Sequence, residues 1–197
     1  YEAFGPGGTG FIVETLTDNK NRTAGDIRSI FTKCGGNLAE TGSVSFLFNR
    51  VGLIEFDISK SSEDEIIESS IDQGAEDCDI SEDCYEVYCQ PSDLHSLGEK
   101  LEKKFGDANL MKIIWKSENN VVIDKDTFSK IDRLIELLDD NDDVQDIYFN
   151  FDIPDDFISW IKKINTMLKK IIGIDPGLIH TGWGLIIVEG NLIKHID

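Results

Sequence analysis

No stretch of this 197-residue sequence approaches the roughly 18 to 20 consecutive apolar residues that a membrane-crossing helix needs. A basic segment followed by an apolar one is also missing from the start, so nothing there reads as a signal peptide. The chain opens on Tyr1 and enters structured-looking sequence at once, which reads as a fragment whose natural start is missing. Cysteine is sparse. Cys34, Cys78, Cys84 and Cys89 contain no C-x-x-C pair, and His95, His180 and His195 do not complete a zinc pattern. Without a secretory signal these four read as reduced, packed thiols, which fits the cytoplasm or an organelle matrix. No Ser-His-Asp or Cys-His arrangement points to a covalent enzyme. The loop Gly5-Pro6-Gly7-Gly8-Thr9-Gly10 lacks the Walker pattern and does not lead from a strand into a helix, so it is no P-loop. It reads either as a structural turn or as a loop that touches a nucleic-acid backbone. No cofactor and no small-molecule substrate are expected.

Positive charge is the other scarcity. There are 19 Lys and Arg against 38 Asp and Glu, a net of −19. The imbalance is local. Residues 1–60 carry 6 basic against 7 acidic side chains, residues 61–156 carry 8 against 28, and residues 157–197 carry 5 against 3. A middle stretch of that sign repels phosphate, so contact with DNA or RNA is expected through the first sixty residues. The basic side chains of interest there are Lys20, Arg22, Arg28, Lys33 and Arg50. They read either as one phosphate-facing patch or as ordinary surface ion-paired to Asp18, Asp26 and Glu40. The runs Glu63-Asp64-Glu65, Asp139-Asp140-Asn141-Asp142-Asp143 and Asp155-Asp156 do not fit a calcium loop and read as solvated faces. The acidic stretch 61–118 also suits a basic protein partner.

What is present in quantity is a buriable core, 40% apolar with 29% charged. Residues 11–17 read as a strand, and a helix capped by Thr23 follows, with Ile27, Ile30, Phe31 and Cys34 on one stripe and Gly35-Gly36 as its stop. Residues 43–48 and 53–57 read as a hairpin across Asn49–Gly52. A helix from Ser62 buries Ile66, Ile67 and Ile71; a strand at 85–89 precedes a helix bearing Leu94, Leu97, Leu101 and Phe105. A strand at 110–115, a helix capped by Asp126 with Phe128, Ile131, Ile135 and Leu138 inside, and a strand at 144–149 complete the body. The expected class is α+β: two ferredoxin-like sandwich domains, one (61–118) inserted in the other (1–60 plus 119–156). Beyond Pro154, residues 157–170 read as a basic amphipathic linker helix and 171–188 as an isolated hairpin around Asp-Pro-Gly.

Several segments resemble a known family. Tyr1–Gly8, Glu14–Thr23, Gly35-Gly36-Asn37-Leu38, Gly42-Ser43-Val44, Asp142–Gln145 and Asn150–Pro154 stand in the order in which the YebC/PmpR family carries similar runs. The resemblance covers residues 1–156. It implies domains two and three of a three-domain protein, without the basic N-terminal helical domain. It also implies a non-enzymatic role in gene expression, as DNA-binding transcriptional regulator or as translational activator at the ribosome. A second, shorter likeness lies in the tail. Residues 167–187, with Gly173-Ile174-Asp175-Pro176-Gly177 and Thr181-Gly182-Trp183-Gly184, are similar to the start of the RuvC junction resolvases. That likeness implies a metal-ligating role for Asp175, but two-metal cleavage needs several converging carboxylates and the sequence offers no others aimed there. The readings left are a regulator, a RuvC-like endonuclease fragment, and an inactive fusion of two reading frames.

Overall fold

The computed structural model describes residues 1–81 and 84–152 and the strands at 171–174, 183–189 and 192–195. In chain order its elements begin with β1 (Glu2–Phe4), β2 (Gly10–Thr15), α1 (Lys20–Lys33) and β3 (Asn37–Leu38). There follow β4 (Phe48–Asp57), α2 (Glu63–Asp72), β5 (Asp77–Ile80), β6 (Cys84–Cys89), α3 (Leu94–Phe105) and β7 (Leu110–Ser117). Then come β8 (Val121–Val122), α4 (Lys125–Asp139), β9 (Val144–Phe149) and β10 (Phe151–Asp152), and finally β11 (Ile171–Ile174), β12 (Trp183–Glu189) and β13 (Leu192–His195). The chain divides into two compact units, Tyr1–Leu47 with Ser117–Asp197, and Phe48–Lys116.

In the first unit an antiparallel sheet runs in the order β3-β1-β2-β9. Strand alternation places Ala3, Phe11 and Val13 on one face, each fully buried. Helices α1 and α4 cover that face with Ile27, Ile30, Phe31 and Cys34 from one and Ile131, Leu134 and Leu138 from the other. Each such side chain contributes on the order of 1.5–3 kcal/mol by leaving water. Phe11 meets Phe31 edge-on, with ring centroids 5.6 Å apart. The first helix starts earlier than its sequence suggests. Asn19 caps it, its side chain accepting from the Arg22 amide at 3.1 Å. Thr23, read as the cap, is instead buried in the first turn and its hydroxyl donates to Asp143 Oδ2 at 2.6 Å. The helix ends in a Schellman motif: Gly36 N–H donates to Phe31 O at 2.8 Å and Gly35 N–H to Thr32 O at 3.2 Å. Gly35 holds φ at +86°, a conformation side-chain-bearing residues rarely adopt. Buried Asn150 ties the last strand region to the second: its side-chain oxygen accepts from Gly10 N–H at 2.6 Å and its amide donates to Asn119 O at 3.2 Å.

The second unit has the order β4-α2-β5-β6-α3-β7 and the sheet order β5-β6-β4-β7, which is the ferredoxin-like β-α-β-β-α-β arrangement. The first unit is equally α+β, but it opens on a hairpin and its strands are ordered differently. Ile54 and Phe56 of β4, with Tyr85, Val87 and Cys89 of β6, pack against Ile66 of α2 and against Leu94, Leu97, Leu101 and Phe105 of α3. The insertion begins at Phe48 rather than at residue 61, because Phe48–Asp57 is one continuous 10-residue strand and not the arm of a hairpin. The stretch read as a turn lies inside that strand, whose pairing with β6 begins with Gly52 opposite Cys89. A Cβ on Gly52 would meet Cys89 Sγ at 2.9 Å and Leu94 at 3.1 Å, so the glycine serves close packing and not a bend. In α2, Ile71 is 48% exposed while Ser69 and Ser70 take the buried positions beside Ile66. All four cysteines are free thiols.

In the tail, β11, β12 and β13 form an antiparallel sheet, so the hairpin read from residues 171–188 gains a third strand. The basic segment 157–170 and Asp175 lie outside the described residues.

Because Leu134 is fully buried between α1, α4 and the sheet, Leu134→Ala is expected to lower unfolding free energy by about 2–5 kcal/mol. Exposed Arg28→Ala should stay within about 0.5 kcal/mol. Urea denaturation measures both, and a loss below about 1 kcal/mol for Leu134→Ala would contradict the packing described.

Candidate nucleic-acid interface

Four of the five basic residues singled out in the sequence lie along α1. Lys20 is its first residue, and its backbone carbonyl accepts from the Tyr1 hydroxyl at 3.2 Å. Arg22 is neutralised within the fold: its guanidinium lies 3.1 Å from Asp18 and 2.9 Å from Asp143. Asp143 also accepts from Thr23 at 2.6 Å and from Thr17 at 3.3 Å, so this carboxylate is the hub of a network joining the start of α1 to the turn after α4. The Thr23 hydroxyl, and after it Arg22, hold the Asp143 carboxyl below its ordinary range. Arg28 is exposed on the flank of α1 opposite Lys33, as the helical period of 100° per residue requires. Arg50 stands on β4 in the second unit, its guanidinium 5.8 Å from the centroid of the Trp115 ring. Four of the five thus belong to the first unit and Arg50 to the second.

Lys33 instead meets two cations that the sequence reading passed over. It lines a cleft of about 540 Å³ together with Cys34, Gly35, Lys130 and Arg133. The first three residues close α1, and the last two lie on the side of α4 away from its buried Ile131, Leu134 and Leu138. The helices run antiparallel, since the start of α1 is bonded to Asp143 just beyond α4 while the end of α1 shares a cleft with the first half of α4. Among the described residues none of the three cations makes an ion pair within the fold, and no carboxylate lines the cleft. Cys34, the buried floor, has its thiol pushed up by burial, with Arg133 and Lys33 pulling the other way. Chemically, such a wall attracts an anion. Among the described residues no group of three or more His, Cys, Asp or Glu is placed to hold a metal ion, and no helix is long and apolar enough to cross a membrane.

The two off-stripe cations of α4 were hidden by their surroundings. They sit in a stretch of the sequence dominated by acidic residues, and only the antiparallel pairing of α4 with α1 brings them beside Lys33. Their spacing of three was the available signal, placing both on one side of the predicted helix.

The family model for the TACO1/YebC second and third domain matches residues 1–151. The chain belongs to the TACO1/YebC family. A conserved hypothetical protein of Aquifex aeolicus, known from its crystal structure, is similar at 41% identity with a TM-score of 0.73. The likeness covers 79% of this chain and 64% of the Aquifex chain, so less than two thirds of that relative's length is represented. These matches agree with the family resemblance carried by the first 156 residues and lend no support to the RuvC-like reading of residues 167–197.

The Asp143 hub has a pH signature. A carboxyl held below its unfolded value adds stability at neutral pH, and that contribution fades as pH falls through the folded value. Asp143→Asn is therefore expected to melt below the parent at pH 7, with the gap narrowing steadily toward acid. A gap that stayed constant from neutral to acid pH would assign the effect to shape and not to charge.

Proposed function

We propose that this chain acts in gene expression as a non-enzymatic regulator of the YebC type, binding DNA in transcription or RNA at the ribosome, and that it does so in the cytoplasm. The observation that carries the proposal is the family match over residues 1–151, which takes in both α+β units. The geometry adds support in the form of an exposed wall of unpaired cations on the first unit of a net-acidic chain. Attraction of that kind is sequence-blind and weakens with salt, because it works by releasing counterions from phosphate. The acidic residues 61–118 suit a basic protein surface as a second partner, by charge complementarity.

Two measurements test the proposal. The full chain should co-sediment with ribosomes or shift duplex DNA in a gel, and either interaction should weaken markedly between about 50 and 200 mM salt. Binding to neither overturns it. Incubation with a four-way DNA junction and magnesium should yield no cleavage; product that disappears with Asp175→Asn would make the chain a nuclease.

A further inference from the structure

We propose that the cleft between α1 and α4 is a phosphate-binding site, in which Lys33, Lys130 and Arg133 hold the sugar-phosphate backbone of a nucleic acid. The proposal rests on the regulator function above and gives it a location.

The charge balance of the wall is the first argument. The chain carries two acidic residues for each basic one, yet the cleft presents three cations and no carboxylate. Its local field is therefore opposite in sign to that of the molecule. Three cations of the fold are bound to their own carboxylates: Arg22 to Asp18 and Asp143, Lys104 to Glu65, Lys116 to Asp77 and Asp79. Lys33, Lys130 and Arg133 make no such ion pair, although Lys130 lies within electrostatic reach of Asp124. Their charge faces outward.

Placement is the second argument. The three side chains rise from two helices whose separation is set by the fully buried Ile27, Phe31, Ile131 and Leu134 beneath them. An anion entering the cleft meets cations already brought together, so little ordering is required at the moment of binding. Helix dipoles do not decide the sign here. The antiparallel pairing sets the end of α1 beside the middle of α4, away from that helix's end charges, and the last carbonyls of α1 are already satisfied by Gly35 and Gly36. The side chains set the field.

The shape and lining choose the ligand class. Arg133 offers a planar fork suited to two phosphate oxygens, while the two lysines act as mobile point charges. A metal ion is repelled by this wall. No aromatic residue lines it, so there is no platform on which a base would stack, and contact is to the backbone alone. The Cys34 thiol, kept protonated by its burial, adds no negative charge beside the phosphate.

The test uses the full chain and compares two variants matched in charge. Lys130→Gln/Arg133→Gln removes two cations from the cleft; Lys100→Gln/Lys103→Gln removes two exposed ones from α3. Circular dichroism and melting confirm that both fold. Binding to a labelled DNA duplex and to a labelled single-stranded RNA is followed by fluorescence anisotropy across a salt series. The cleft variant should bind at least about tenfold more weakly, and its slope of log affinity against log salt should flatten by about one per charge removed. The α3 variant should match the parent. Equal behaviour of the two variants would overturn the proposal while leaving the regulator function standing, whereas a parent chain that binds neither nucleic acid would overturn both. As a check that needs no substitution, inorganic phosphate titrated into isotope-labelled parent should shift the amide resonances around Lys33–Gly35 and Lys130–Arg133. Shifts confined to other segments would also refute the site.

Discussion

The packing of α1 against α4 over the Ala3, Phe11 and Val13 face is the constraint on which the first unit depends. These helices come from segments about a hundred residues apart, with a whole second unit between them in sequence. Among the described residues of that unit neither helix has another apolar surface to bury its stripe against. Their union is held at one end by the Asp143 hub and along its length by aromatic and aliphatic packing. Surface ion pairs are individually weak, so the apolar face supplies the free energy while the hub sets the register of one helix against the other.

That register has a chemical result. Sliding α4 by one turn, about 5.4 Å, would carry Lys130 and Arg133 away from the end of α1. The cationic cleft is thus a product of core packing and not of any basic segment in the chain. Among the described residues the cleft thereby carries a local charge opposite in sign to that of the acidic chain.

Much of the architecture was legible from residue pattern. The stripe Ile27, Ile30, Phe31 and Cys34 is buried as its spacing of three and four demands, and so are Leu94, Leu97, Leu101 and Phe105. Glycine stops at Gly35, Gly74 and Gly106 fall where helices end, each with positive φ. The misreadings have local causes. Asn49–Gly52 has turn composition, but it lies inside the continuous strand β4, whose pairing with β6 begins at Gly52. Strand β5, spelled Asp-Cys-Asp-Ile, carries two acidic residues on four positions and looks nothing like a strand until it is laid beside β6. Of the basic residues read as one patch, helical periodicity separates Arg28 from Lys33, Asp143 neutralises Arg22, and a continuous β4 makes Arg50 part of the second unit. No local pattern could supply those facts, since each depends on which distant segment a helix or strand meets.

The nested order of the two units also bears on how the chain comes into being. All six elements of the inner unit are contiguous, from Phe48 to Lys116, whereas the outer sheet must join Gly10 to Asn150, a separation of 140 positions. Synthesis from the N-terminus therefore delivers the inner unit whole while the outer one still lacks α4 and β9, leaving Phe11 and Phe31 uncovered until the last of these emerges. Closing a loop of that length adds little entropy beyond a shorter one, and a pre-folded insert draws its ends together. The outer unit matures second, although it begins first.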